Sequence, residues 1–422
     1  MASLAPAEMQ IRSSFDSVKE AKQEHEGRTG SSFGAYFNII SVCAGVGTLQ
    51  LPYVLNLGGW IGLVLFVLAA CMAIYTGTLL IRCLYAREGT RLSSYPAVGR
   101  EAFGRVGHIL VMFFNYTLLV GGGSIYVMLS GMNLAFLFPN VPLSPREWMA
   151  VSAAVILLPL LLLKTLKEAA ILSVFGTLTT AAVAVITAAL CGTMLGDEGH
   201  QAAHSLVNVE NLPVALATIS FAYSGNMVYP HVEESMRHPG SWSRVLTSAV
   251  ATITAIYVTI SVPAYLALGS DTLSPITLHL PAGTASFCAN VLITIHVLLA
   301  APILITSFTL DLERAWGIEV QRIGRVKEFL GRAFIRTASV TVAALIAMYM
   351  PSFGSFMSLL GAIDTCMLVF VLPIICYMRL FGWRSIRPLE LVWCAIILII
   401  GLMGCVLGSI SAVKEMMEET TN

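Results

Sequence analysis

Apolar residues along this chain come in long runs separated by short polar segments. Eleven runs stand out, at residues 33–55, 59–81, 108–137, 147–163, 170–195, 211–231, 244–268, 285–310, 334–351, 353–378 and 389–412. A bilayer's hydrocarbon core is about 30 Å thick, and an α-helix needs about 20 apolar residues to cross it. No run shows the alternation of apolar and polar positions that a membrane β-barrel requires. The expected fold is an all-α polytopic membrane protein with eleven transmembrane helices. Residues 1–32 are polar and mixed in charge, without the apolar stretch of a signal peptide, and read as a disordered cytosolic tail. Residues 413–422 read as a short outer tail.

Composition agrees and narrows the class. Of 422 residues, 57 % are apolar and only 11 % charged, against about 25 % charged in ordinary globular domains. So few charges cannot cover the surface of a soluble fold of this length. The 24 Lys and Arg are balanced by 24 Asp and Glu, so no basic excess exists to neutralise nucleic-acid phosphates. The zero net charge hides an asymmetry. With a cytosolic amino terminus and eleven spans, 22 of the 24 basic residues fall on the inner side and only Arg146 and Lys414 outside. That is the bias membrane insertion follows, and a missed span would scramble it. The nine cysteines all lie inside or at the ends of runs. They suit small apolar filling and form no disulfide framework. Asn115-Tyr116-Thr117 matches a glycosylation sequon but lies within the third run, out of reach of the modification.

Two runs contain residues that hold a helix poorly near their middle. The first reads Gly45-Val46-Gly47-Thr48-Leu49-Gln50-Leu51-Pro52, and the sixth reads Tyr223-Ser224-Gly225-Asn226 with Pro230 beyond. Glycine and proline both weaken helices. A break inside lipid frees backbone groups that protein, water or a ligand must satisfy. Interrupted helices at corresponding places in two halves point to an inverted-repeat transporter with its substrate near the midplane. Half-helix N-termini suit an anionic group and freed carbonyls a cationic one, and an amino acid zwitterion offers both. The chain then divides into a first five-helix repeat at 33–195, a second at 211–380, and an eleventh helix at 389–412.

These stretches resemble the amino acid/auxin permease family. Gly45 to Tyr53 followed by Gly58-Gly59-Trp60 is similar to the family's opening helix, and Ser94 to Gly104 to its first inner loop. Lys164-Thr165-Leu166-Lys167-Glu168 resembles its helix 4–5 turn. Phe221 to Pro239 resembles its sixth helix and the connection that follows. The likeness covers residues of about 33–380 and is nearest to the vesicular and vacuolar amino acid transporter branch. It implies a leucine-transporter-type fold of five plus five inverted helices and one more, and amino acid transport coupled to protons or sodium. It also implies a substrate site lined by Gly45, Val46, Gly47, Thr48, Tyr223, Ser224, Gly225 and Asn226. The tenth run departs from the family, placing Asp364 where small or hydroxyl residues are expected.

Asp364 and His296 are the two ionisable residues deep within runs. An Asp at a helix centre costs about 2.5–3.5 kcal/mol on insertion scales and must face the bundle interior. The two are the candidates to carry a coupled proton, against plain structural roles. Thr306, Ser307 and Thr309 in the eighth run leave a sodium site as the alternative, weakened by their place toward the run's inner end. His231, Glu233, Glu234 and His238 have ligand chemistry without a zinc spacing, and read as a gate or a solvated helix end. Gly121-Gly122-Gly123-Ser124 lacks the lysine of a phosphate loop and reads as close helix packing. In the outer loop, Asp197, Glu198, His200 and His204 read as solvated, with pH sensing in an acidic lumen as the alternative.

The resulting expectation is a secondary active transporter, not an enzyme, with no cofactor, bound metal or nucleic-acid partner. Thr48, Tyr223, Ser224 and Asn226 make the site edge small and polar, which suits neutral amino acids. Coupling to protons is favoured over sodium, and the branch resemblance places the chain in a vacuolar or other endomembrane. An amino-acid-binding sensor is the competing class, disfavoured because the tail carries no clear docking motif. A channel is disfavoured because paired broken helices suit alternating access.

Overall fold

The computed structural model describes residues 28, 30–87, 90–162, 169–195, 202–318 and 324–421. Most of the expected tail, the Lys164–Glu168 motif, and Asp197, Glu198 and His200 lie outside them. The described elements are helical. They are α1 (Ser32–Cys43), α2 (Leu51–Gly58), α3 (Ile61–Leu84), α4 (Tyr95–Leu137), α5 (Pro145–Leu162), α6 (Ala169–Leu195) and α7 (Leu212–Ala222). They continue as α8 (Tyr229–Ser235), α9 (Trp242–Leu268), α10 (Thr284–Ala315), α11 (Arg325–Tyr349), α12 (Phe353–Phe381) and α13 (Pro388–Thr421).

Among the described residues, eight helices are long and apolar enough to cross a membrane. A ninth span is counted if α1 and the segment Val46–Gly58, which meet at 42°, are taken as one. The other two expected spans fold as the 18-residue α5 and as the short pair α7 and α8. The chain is an all-helical polytopic membrane protein.

Local chemistry sets the helix ends. The Ser31 hydroxyl accepts from Gly34 N at 2.9 Å and starts α1. Before α5, the Glu147 carboxylate accepts from Ser144 N at 2.6 Å while Glu147 N donates to Ser144 Oγ at 3.4 Å. That reciprocal pair satisfies two donors a helix start leaves open. α4 begins thirteen residues before the apolar run that announced it, at Tyr95. The Ser94–Gly104 motif, expected in a loop, is therefore helical up to a kink at Phe103 and Gly104, where Gly104 takes φ +65°. That left-handed conformation favours glycine. At the other terminus α13 runs through residues 413–421, where a short tail was expected. Tyr53 Oη donates to Glu415 at 3.0 Å and Ser355 Oγ to Glu419 at 2.8 Å, tying this extension to α2 and α12.

Apolar side chains gather in two cores. One joins α1, α2, α3, the first part of α4, α7, α8, most of α9, the last part of α12 and the first part of α13. The other joins the last part of α4 with α5, α6, α10, α11 and the start of α12. α4 and α12 contribute to both. In the middle of α12 the ladder widens to a π-helix over Gly361–Val371, an arrangement that is rare over such a length. Gly361 makes this segment's contact with α7 possible. A Cβ there would lie 2.1 Å from the Ala217 carbonyl oxygen.

Candidate functional site

Both breaks anticipated from the sequence are present. α1 stops at Cys43, Ala44 and Gly45 leave the helix, and a tight 3-10 turn over Val46–Gln50 leads into α2. α7 stops at Ala222, and Tyr223 to Val228 are non-helical before α8 begins. The two breaks cross where a Cβ on Gly47 would lie 3.1 Å from Ala222 Cα. Glycine is what allows the backbones to approach this closely.

A cleft opens beside the crossing. Ser41, Val42, Cys43, Val46 and Gly47 from the first break line one side, and Phe221, Ser224 and Met227 from the second line another. Leu118, Gly122, Ile125 and Tyr126 of α4, Ser173 of α6, and Ala300 and Leu304 of α10 complete it. None of these side chains carries a full charge. The lining mixes both cores: Cys43 and Leu118 belong to one, Val46, Ile125 and Tyr126 to the other.

Of the eight residues expected to line a substrate site, Val46, Gly47 and Ser224 line this cleft. Gly45 stands just behind, where a Cβ would lie 2.8 Å from Tyr126 Oη. Thr48 is buried, with no hydrogen-bond partner for its hydroxyl among the described residues. Tyr223 points away, its hydroxyl 2.8 Å from Thr254 Oγ1. Gly225 packs beneath the Tyr229 ring. Asn226 is an anchor, donating through Nδ2 to the Leu368 and Val369 carbonyls of the π-helix at 3.2 and 3.3 Å. Tyr95 Oη reaches the same Leu368 carbonyl at 2.8 Å.

The α4 wall escaped the sequence reading, although a signal was present. In Gly121-Gly122-Gly123, the outer two pack against Leu360 and Ile305 as a helix-packing motif should. A Cβ on Gly122 would meet only Leu304, at 3.5 Å. The middle glycine faces the cleft.

The two buried ionisable candidates separate. His296 on α10 is 2 % exposed, and its Nε2 has no hydrogen-bond partner among the described residues. It abuts the first break: a Cβ on Gly45 would lie 3.6 Å from Nε2, and one on Gly176 would lie 2.7 Å from both His296 Cε1 and Ser41 Oγ. Asp364 lies in the π-helix, fully buried, with both carboxyl oxygens unpartnered among the described residues. It does not line the cleft, and the π-helix that carries it packs against α13.

One end of the bundle is closed by a buried ion pair. Glu233 on α8, 0 % exposed, accepts from Arg91 Nε at 2.8 Å and Tyr85 Oη at 2.5 Å, with the Arg28 guanidinium 3.9 Å away. Arg91 also donates to the Pro230 carbonyl. The strand-like segment at Gly30 adds backbone bonds to Ser235 and Arg237. Glu233 is thus committed to arginine and tyrosine. Among the described residues, no group of three or more His, Cys, Asp or Glu side chains is placed to hold a metal ion.

Two broken helices crossing at an uncharged cleft, inside a polytopic helical bundle, are the anatomy of a solute carrier. The model of the family described as transmembrane amino acid transporter protein matches residues 28–414. The chain belongs to that family. Amino acid transporter AVT1C of Arabidopsis thaliana is 30 % identical over 401 residues, covering 93 % of this chain and 71 % of that protein. The vesicular inhibitory amino acid transporter of Rattus norvegicus is 27 % identical, with coverage of 92 % and 76 %. Among solved structures, MhsT in complex with L-phenylalanine superposes with a TM-score of 0.61 at 14 % identity, covering 91 % of this chain and 99 % of that one. The bundle therefore shares the fold of that protein. This member of the amino acid transporter family has transporters, not enzymes, as its relatives.

Proposed function

We propose that the chain is a secondary active transporter that carries neutral amino acids by alternating access, driven by protons, in an endomembrane. The observation that carries this reading is the crossing of the two breaks at Gly47 and Ala222, beside a cleft whose lining has no charged side chain. The zwitterion's charged ends are met by backbone of the breaks and the hydroxyls of Ser41 and Ser224. Its side chain meets Leu118, Ile125, Phe221 and Leu304. The absence of a charge in the lining argues against acidic or basic substrates, since burying an unpaired charge is costly.

Eleven spans arranged as five plus five plus one are the topology behind this reading. α5 and the α7–α8 pair complete the count, and the broken helices open each repeat. The mixed ownership of the cleft supports rocking, because a relative movement of the two cores would open and close it. His296 is the proton carrier we favour, since it abuts the first break, and Asp364 is the second candidate. The vesicular relative supports an endomembrane. A sodium-coupled reading retains one observation: the Thr306 hydroxyl of α10 is buried and has no partner among the described residues.

Proteoliposomes carrying the purified protein test these statements together. Labelled alanine, leucine and phenylalanine are expected to accumulate when a pH gradient is imposed without sodium. Accumulation that follows only a sodium gradient would replace the proton by sodium. Binding without uptake of any amino acid would favour a sensor.

A further inference from the structure

The last backbone carbonyls of the two half-helices at the breaks converge on a single side chain. Cys43 is the last residue of α1, and Ala222 the last of α7. Carbonyls in a helix's final turn lack an intrahelical donor and form the negative end of its dipole. Tyr257 of α9, 0 % exposed, places its Oη 2.9 Å from the Cys43 oxygen and 2.5 Å from the Ala222 oxygen. Its ring is held edge-on by Tyr223, centroids 5.4 Å apart, whose own hydroxyl is tied to Thr254 on α9.

A phenol hydroxyl has one hydrogen to donate. Two carbonyls therefore share it, and neither is fully satisfied while both are near. The halves they end lie toward opposite ends of the bundle. α1 approaches its break from the Glu233 end, where Gly30 is bonded to Ser235 and Arg237. α7 approaches from the other end, near the point where Asn208 N donates to the Gly58 carbonyl. Opening one end must draw off α1, and opening the other must draw off α7.

We propose that Tyr257 is a positioning residue that couples the two breaks: its single proton goes to whichever half-helix stays in place, so that one carbonyl is held as the other is released. This rests on the alternating-access reading above. Tyr257 touches no substrate, since it does not line the cleft. A buried carbonyl left bare is costly, so the shared hydrogen favours states in which at least one break is held.

Two variants separate this toggle from simple structural support. Tyr257→Phe removes the hydrogen. Tyr257→4-aminophenylalanine supplies two, enough to hold both carbonyls at once. Purified proteins are compared by melting temperature and by the exchange of labelled alanine, leucine and phenylalanine across proteoliposomes at zero gradient. The melting temperature is expected to rise from Phe to wild type to the amino variant. The amino variant is expected to exchange at least about fivefold more slowly than wild type, with its half-saturating concentration nearly unchanged. An amino variant that exchanges at the wild-type rate overturns the proposal, as does a Phe variant that melts with wild type. If Tyr257→Phe yields no folded protein, the amino variant decides alone. If wild-type liposomes exchange none of the three amino acids, the transport reading fails, and the melting order still tests the shared hydrogen.

Discussion

At the scale of single residues, the site depends as much on missing side chains as on present ones. Gly45 and Gly47 exist where a Cβ would meet Tyr126 Oη at 2.8 Å and Ala222 Cα at 3.1 Å. Gly45→Leu should therefore reduce amino acid uptake to background while the protein still elutes as a single species. Normal uptake by that variant would remove Gly45 from the site. The buried ionisable residues make the opposite case, being present without visible partners. His296→Gln is expected to abolish accumulation driven by a pH gradient while leaving exchange at zero gradient intact. If accumulation survives in that variant and is lost in Asp364→Asn, the carrier is the aspartate. Sequence reasoning found both residues because an ionisable group inside an apolar run is conspicuous. It could not rank them, because proximity to a break depends on which helices become neighbours.

At the scale of elements, the breaks work because other helices hold their loose ends. Pro373 of α12 has no N–H to give back along the helix, and the Leu368 and Val369 carbonyls accept from Asn226 instead, with Tyr95 also on Leu368. Asn226 thereby fixes the second break from behind. In the sequence it sat in the same motif as Ser224, and only the turn of the chain separated an anchor from a lining residue. α8 is held by Glu233 on Arg91 and Tyr85. Hydrogen bonds to a charged group contribute about 1.5–3 kcal/mol each, so Glu233→Gln should lower the melting temperature. It should also expose this end of the bundle, read as faster labelling of a cysteine introduced beside Arg91. Unchanged labelling would mean that the pair does not govern closure. Glu233 stands among His231, Glu234 and His238, residues of ligand chemistry without a zinc spacing, which read as a gate or a solvated helix end. The arginine that takes the carboxylate lies 142 positions away in sequence and carries no local signal of that contact.

At the scale of the molecule, the charge distribution and the two cores define the working unit. With eleven spans, 22 of the 24 basic residues would fall on one side, which predicts that a tag at the amino terminus faces the cytosol. In sealed endomembrane vesicles with their cytosolic face outward, added protease should remove that tag without detergent. Protection of the tag would reverse the orientation. The two cores meet along the cleft, so on the alternating-access proposal a relative movement of the cores would open and close it.

The sequence by itself determined the membrane class, the helical architecture and the location of both breaks. Each of these is a local property: apolar run length matched to bilayer thickness, and glycine and proline at positions a helix tolerates poorly. Tertiary structure decided the rest. It set Gly122 and Leu304 against the cleft and turned Tyr223 and Asn226 away from it. It also brought His296 to the first break and left Asp364 toward α13. It carried α1 and α7 to a common hydroxyl on α9. These relations join residues far apart in the chain, and they follow from how whole helices pack, which no local pattern encodes.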